Sequence, residues 1–136
     1  DEGLHAFGLR GFWTPEESGV IPTISAGIDV GFSDADAAGS TEEVFGWMVG
    51  LNWKNAFIDG NKLGIGFGSY SSYATEVKGD SDLDDSNFAI EGYYDIQVTD
   101  NITVTPAVFY IQDADGDATV DGSDTLGGLV KTTFKF

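Results

Sequence analysis

The amino-acid sequence predicts an all-β protein, an antiparallel transmembrane β-barrel, and three observations carry that prediction. Apolar and polar residues alternate with period two over runs of about 10 residues, the length a tilted strand needs to cross a bilayer. Connections between the runs alternate between short and long. Acidic residues collect in the long connections.

A first, less regular strand runs from Leu4 to Trp13, with Phe7, Leu9 and Trp13 on one side. Pro22 to Phe32 is cleaner. Its even positions include Ile24, Ala26, Ile28 and Val30, while Thr23, Ser25, Gly27, Asp29 and Gly31 take the odd ones. Successive side chains of a strand point to opposite faces, so one face is apolar and the other small or polar. The third run sets Phe45, Trp47, Val49, Leu51 and Trp53 against Gly46, Met48, Gly50, Asn52 and Lys54. Leu63, Ile65 and Phe67 then alternate with Lys62, Gly64, Gly66, Gly68 and Tyr70. Two further runs oppose Ile90, Tyr94, Ile96 and Val98 to Glu91, Tyr93, Asp95 and Gln97, and Ile102, Val104, Pro106 and Val108 to Thr103, Thr105 and Ala107. The last, Thr125 to Phe136, places Leu126, Val130, Phe134 and Phe136 opposite Lys131, Thr133 and Lys135. About seven strands result, each longer than the 5–6 residues usual in globular sheets. In a barrel the polar faces line the lumen, which makes Arg10, Asp29, Asn52, Glu91, Tyr93, Asp95 and Lys131 the candidate pore-lining residues. Aromatic residues near strand ends, among them Trp13, Trp53, Tyr70, Tyr73, Tyr94, Tyr110 and Phe136, suit interfacial girdles.

Short links are expected near 15–21, 55–61 and 99–101, and long loops near 33–43, 74–86 and 113–124. The long loops hold most of the acid: Asp34, Asp36, Glu42 and Glu43; Glu76, Asp80, Asp82, Asp84 and Asp85; Asp113, Asp115, Asp117, Asp121 and Asp124. Only Lys78 offsets them.

Composition removes several function classes. The 136 residues carry 23 acidic and 6 basic side chains, a formal charge of −17, so the Lys/Arg surface that nucleic-acid binding requires is missing. Cysteine is absent, which rules out disulfides and thiolate metal sites. His5 is the only histidine, so no multi-His metal centre or His-pair mechanism can form. Glu91 and Asp95 share a strand face but stand about 13 Å apart by strand rise, too far for the paired carboxylates of a glycosidase. No enzyme activity is expected. No run of 18 apolar residues exists, which excludes a spanning helix; a mean hydropathy near zero is compatible with a barrel, whose strands need only alternate residues apolar. The loop 113–124 places oxygens at positions 1, 3, 5, 9 and 12, as in a calcium-binding EF-hand. Ala118 replaces the sixth-position Gly, however, and Asp124 the bidentate Glu, so a solvated acidic loop is expected and no cofactor, with Ca2+ at 113–124 the alternative.

Three segments carry a family resemblance: Phe45-Gly46-Trp47-Met48-Val49-Gly50-Leu51-Asn52-Trp53-Lys54-Asn55-Ala56-Phe57 with Asp59-Gly60-Asn61-Lys62-Leu63-Gly64, then Tyr94 to Ala107, then Gly127 to Phe136. They resemble the C-terminal third of cyanobacterial outer-membrane porins, the carbohydrate-porin-like family also called iron uptake porins. The resemblance is close over 41–136 and only stylistic over 1–40. It implies that residues 1–136 are the C-terminal part of a porin barrel, a passive diffusion channel for inorganic ions and small solutes, and a homotrimer in outer-membrane lipid. An odd strand count agrees with a fragment, because single-chain bacterial barrels close with an even number. The final Phe136 resembles the signal read by the barrel-insertion machinery, which would put the C-terminus in the periplasm and the long acidic loops outside. The rival expectation is a small structural or loop-displaying barrel without an open pore; a soluble sandwich is the third.

Overall fold

Residues 3–17, 19–34, 40–69, 73–77, 87–112 and 124–136 are described by a computed structural model. They form β1 (Leu4–Trp13), β2 (Thr23–Ser33), β3 (Thr41–Lys54), β4 (Lys62–Gly68), β5 (Tyr73–Val77), β6 (Phe88–Thr99), β7 (Ile102–Gln112) and β8 (Thr125–Phe134). All belong to one antiparallel sheet with neighbours in the order β1-β2-β3-β4-β6-β7-β8, while β5 pairs β3. β4 takes the Met48–Lys54 half of β3 and β5 takes Thr41–Phe45, so the two follow one another along a single column. The sheet therefore has the seven columns the alternation predicts, with the fourth broken. At the break Ser69 substitutes for the ladder: its N–H donates to the Trp47 carbonyl (2.9 Å) and its Oγ accepts from the Trp47 N–H (3.0 Å).

Strands of 10–12 residues, as in β1, β2, β6, β7 and β8, rise about 33–40 Å, and at a tilt near 45° cover the roughly 25 Å apolar band of an outer-membrane barrel. Among the described residues, β1 and β8 do not pair with each other and stand as open edges.

Register aligns the two faces across every column. Leu9, Ile28 and Trp47 lie in one row, and so do Gly11, Ala26, Val49 and Phe67. Farther along, Ile65, Gly92, Val108 and Gly128 continue the same face. Nowhere does this face turn inward to form a core: among the described residues no hydrophobic side chain is buried, and Leu9, Trp13, Ile28, Val108 and Val130 are all exposed. What is buried is glycine, Asn61, Asn87 and Thr105. This distribution is the inverse of a soluble sheet protein, in which the apolar face packs and the polar face is wet.

Three boundaries differ from the sequence expectation. Glu42 and Glu43 belong to β3 and Glu76 to β5 rather than to loops, because β5 prolongs the pairing along β3. Glu43 and Glu76 are register partners, and the ladder slips on both sides of that pair. The first long connection thus contracts to 34–40, shorter than the 14–22 link at the other end, so lengths alternate only in the later links. Tyr94 lies in the middle of β6, not at its end; it reaches a sheet end only because β4 and the 55–61 link are short. Tyr70, Lys78 and the loop positions Asp36, Asp80, Asp82, Asp84, Asp85, Asp113, Asp115, Asp117 and Asp121 lie outside the described residues.

Neighbouring residues of β8 test the assignment of faces. Val130 is on the apolar face and Leu129 on the other, though both are exposed. Val130→Lys is expected to cost up to about 2–4 kcal/mol, depending on its depth in the bilayer, whereas Leu129→Lys should cost little. Urea unfolding of the full-length protein from lipid vesicles measures both.

Candidate functional site

The face opposite the apolar one is the candidate site, and cross-strand pairing with glycine builds it. Tyr93 of β6 pairs Gly64 of β4, which pairs Asn52 of β3. The tyrosine ring lies flat over Gly64, where any Cβ would collide with it, and its hydroxyl donates to Asn52 Oδ1 at 2.7 Å. Asp29 of β2 covers Gly46 of β3 in the same way, with its Oδ2 2.6 Å from where a Cβ would stand. Arg10 of β1 lays its stem over Gly27 of β2, and Phe109 of β7 its ring over Gly127 of β8. Large side chains on this face therefore lie down across a neighbouring glycine instead of standing up from the sheet. The wall stays thin, and polar atoms remain at its surface. By contrast, the apolar-face glycines Gly11 and Gly92 have open space, with nothing within 4 Å of where a Cβ would stand. The pattern has exceptions on both faces, since the polar-face Gly66 is also open and the apolar-face Gly128 has the Ala107 carbonyl 3.3 Å from where a Cβ would stand.

All seven sequence-derived wall residues, Arg10, Asp29, Asn52, Glu91, Tyr93, Asp95 and Lys131, fall on this one face. Asn52 and Tyr93 are joined directly. Asp95 Oδ1 accepts from Thr105 Oγ1 at 2.6 Å, and Lys131 pairs Thr105 from β8. Arg10 and Asp29 occupy adjacent strands, while Glu91 stands apart between Gly66 and Phe109. His5 pairs Phe32 on the apolar face, away from all of them. Among the described residues no group of three His, Asp or Glu converges on a point that could hold a metal. Of the loop acids, Asp34 and Asp124 are described; the Asp34 N–H donates to the Gly3 carbonyl, and Asp124 Oδ2 accepts from the Tyr110 hydroxyl at 2.7 Å.

Sequence reasoning missed the clamp on the 55–61 link. Asn61 is 2 % exposed; it donates from Nδ2 to the Tyr94 hydroxyl and accepts at Oδ1 from the Gln97 N–H. The Tyr94 hydroxyl in turn donates to the Ala56 carbonyl (2.7 Å). Three residues of the link take positive φ, Asn55 (53°), Phe57 (64°) and Gly60 (89°). Asn55 and Gly60 are ordinary choices for that region, but a bulky Phe there is strained. Its ring packs against the Tyr94 edge with centroids 6.2 Å apart. A buried Asn that satisfies a neighbouring strand leaves no periodic trace, so only the fold reveals it.

A two-faced sheet with no buried apolar core among the described residues and a glycine-rich polar face fits a membrane-spanning sheet, and comparison with known proteins agrees. The profile of the carbohydrate-selective porin, OprB family, matches residues 3–136. The chain belongs to this porin family. Membership extends through the first 40 residues, where the sequence resembles the family only in style, and it places the chain in a family of outer-membrane channels. An uncharacterized protein of Nostoc sp., a cyanobacterium, is 28 % identical over 134 residues. That alignment covers 97 % of this chain but 22 % of the Nostoc protein, so the chain spans about a fifth of that relative's length. No solved structure matches.

The Tyr93–Gly64–Asn52 arrangement predicts a coupled mutational response. Tyr93→Phe removes one hydrogen bond and should cost about 0.5–1.5 kcal/mol. Gly64→Ala forces the ring away and should cost about 1–3 kcal/mol. The double variant should be well short of additive, because displacing the ring already breaks the bond to Asn52; equilibrium unfolding of the three variants measures the coupling.

Proposed function

We propose that the chain forms seven columns of the wall of a water-filled outer-membrane channel, with the glycine-rich polar face toward the lumen and the apolar face toward lipid. One observation carries this reading: most large exposed apolar side chains of the strands share one face, with Leu4, Phe12, Met48 and Leu129 the exceptions, and burial is confined to small and polar residues on or beside the other. In hydrocarbon every backbone N–H and C=O needs a partner, so the open edges at β1 and β8 must be closed by further strands, as a larger barrel provides. Solutes pass by diffusion along the polar wall. The family's name points to carbohydrates, and the mixed charge of Arg10, Asp29, Glu91, Asp95 and Lys131 suits small polar solutes and inorganic ions alike.

The end that carries 34–40, 78–87 and 113–124 is the extracellular one in this reading, and the C-terminal Phe136 end the periplasmic one. Acidic side chains at the outer mouth raise the local cation concentration, an effect that weakens with ionic strength. The assembly is a homotrimer in outer-membrane lipid, inserted through recognition of Phe136. No resident cofactor takes part; divalent cations gather loosely at 113–124.

Single-channel recording of the full-length protein in a planar bilayer tests the proposal. Stepwise conductance is expected in KCl, persisting when chloride is replaced by a bulky anion. Silence from intact, inserted protein would instead favour a structural or loop-displaying barrel.

A further inference from the structure

The apolar face ends at different levels on the two sides of β6. β3 stops at Lys54 and β4 begins at Lys62, which pairs Asp95. β6 and β7 run on past that pair, where Ile96 faces Val104 and Val98 and Ile102 extend the same alternation. Phe134 of β8, the partner of Ile102, completes it, and both Val98 and Phe134 are exposed. The apolar band is therefore notched where the fourth column stops.

The 55–61 link fills the notch. Asn61 Oδ1 accepts from the Gln97 N–H at 2.9 Å, where β4 would supply the ladder partner had it run on. Tyr94, which pairs Leu63 on the apolar face, bonds through its hydroxyl to Ala56 and Asn61 and so draws the link over that face. The N–H groups of Ala56, Ile58, Gly60 and Asn61 all donate within the link, to Asn61, Ala56, Asn55 and Ile58 respectively. A connection in water has no need to satisfy its own donors in this way, whereas one in lipid does.

The apex of the link turns apolar residues outward at a conformational cost. The Ile58 N–H reaches the Ala56 carbonyl at 2.8 Å across a single residue, a γ-turn around Phe57 at φ 64°. That turn is strained, and a bulky side chain is its least suitable occupant. Phe57 is nevertheless 89 % exposed and Ile58 62 %. The 14–22 link arrives at the same place, because the Trp53 indole N–H donates to the Val20 carbonyl at 2.8 Å. Val20 and Phe57 then border a cleft of about 650 Å³ whose wall includes Trp53 and Leu63 of the apolar face.

We infer that these two links lie in the membrane: Val20, Phe57 and Ile58 insert into the lipid leaflet at the short-link end, and an acyl chain fills the cleft between them. The inference rests on the apolar face meeting lipid, since the cleft continues that face. Lys54 and Asp59 at the cleft carry opposite charges, and Glu16 and Glu17 lie in the neighbouring link. Insertion is accordingly driven by apolar burial, needs no anionic lipid and does not fade with salt.

The test introduces single cysteines into the full-length protein, Ile58→Cys, Val130→Cys and Asp100→Cys, each labelled with a fluorophore in net-neutral phosphatidylcholine vesicles. Quenching by nitroxide-bearing lipid is compared with quenching by iodide in the water. The label at 58 is expected to be quenched by the lipid and spared by iodide, like the label at 130, in low and high salt alike. The label at 100, in the 99–101 link, should show the reverse. Iodide quenching at 58 with lipid quenching at 130 overturns the inference and leaves the apolar face in lipid. A label at 58 shielded from both quenchers overturns it too, since a protein surface then covers the cleft. Iodide quenching at 130 removes the reading on which the inference rests.

Discussion

The structure depends on one constraint: inside hydrocarbon, backbone hydrogen bonds must be satisfied by the sheet itself, since no water reaches them. Antiparallel pairing across seven columns does this, and its period of two then divides the side chains with no further choice. A residue pointing outward has to tolerate lipid, and its neighbour has to tolerate water. This division explains why large apolar residues such as Leu9, Trp13 and Val130 are exposed without any core beneath them. In the proposed channel that surface is the one turned to the membrane. The same constraint explains Ser69, whose N–H and hydroxyl bond to Trp47 where the fourth column is broken.

The closest cross-strand approaches are on the polar side, while on the apolar face Trp47 packs against Phe67 and Phe88 with ring centroids 6.3 and 6.4 Å apart. Glycine opposite a long side chain lets that side chain lie across the neighbouring strand, as Tyr93 does over Gly64 on its way to Asn52. The contact replaces the interdigitation of a globular core with single-layer cross-strand pairs. It also keeps polar atoms at the wall surface while leaving room above it. Stability and lumen geometry are therefore set by the same residues, so wall variants are expected to change both together.

The ends of the sheet differ in kind. At the short-link end, Asn61, Tyr94 and Gln97 clamp the 55–61 link, and Asn101 holds the backbone of Lys135. At the opposite end the Tyr110 hydroxyl donates to Asp124 Oδ2, and the Asp34 N–H donates to the Gly3 carbonyl. Lysines and carboxylates are interspersed where the links are pinned, with Lys62, Lys135, Asp95 and Asp100 around one cleft.

Much of the fold was legible because a half-lipid, half-water sheet writes its period directly into the chain. Each strand from Pro22 onward except β5 shows it, and the seven candidate wall residues share one face for that reason alone. Strand limits were less legible: Glu42, Glu43 and Glu76 look like loop acids until β5 is seen to continue the column begun by β4. The sequence by itself determined the fold class, the two faces and the family, since those follow from side-chain type at every second position. Only the tertiary structure decided which residues meet across strands, such as Tyr93 over Gly64 and Lys54 against Lys62. Cross-strand register depends on pairing between distant segments, and no local pattern encodes it.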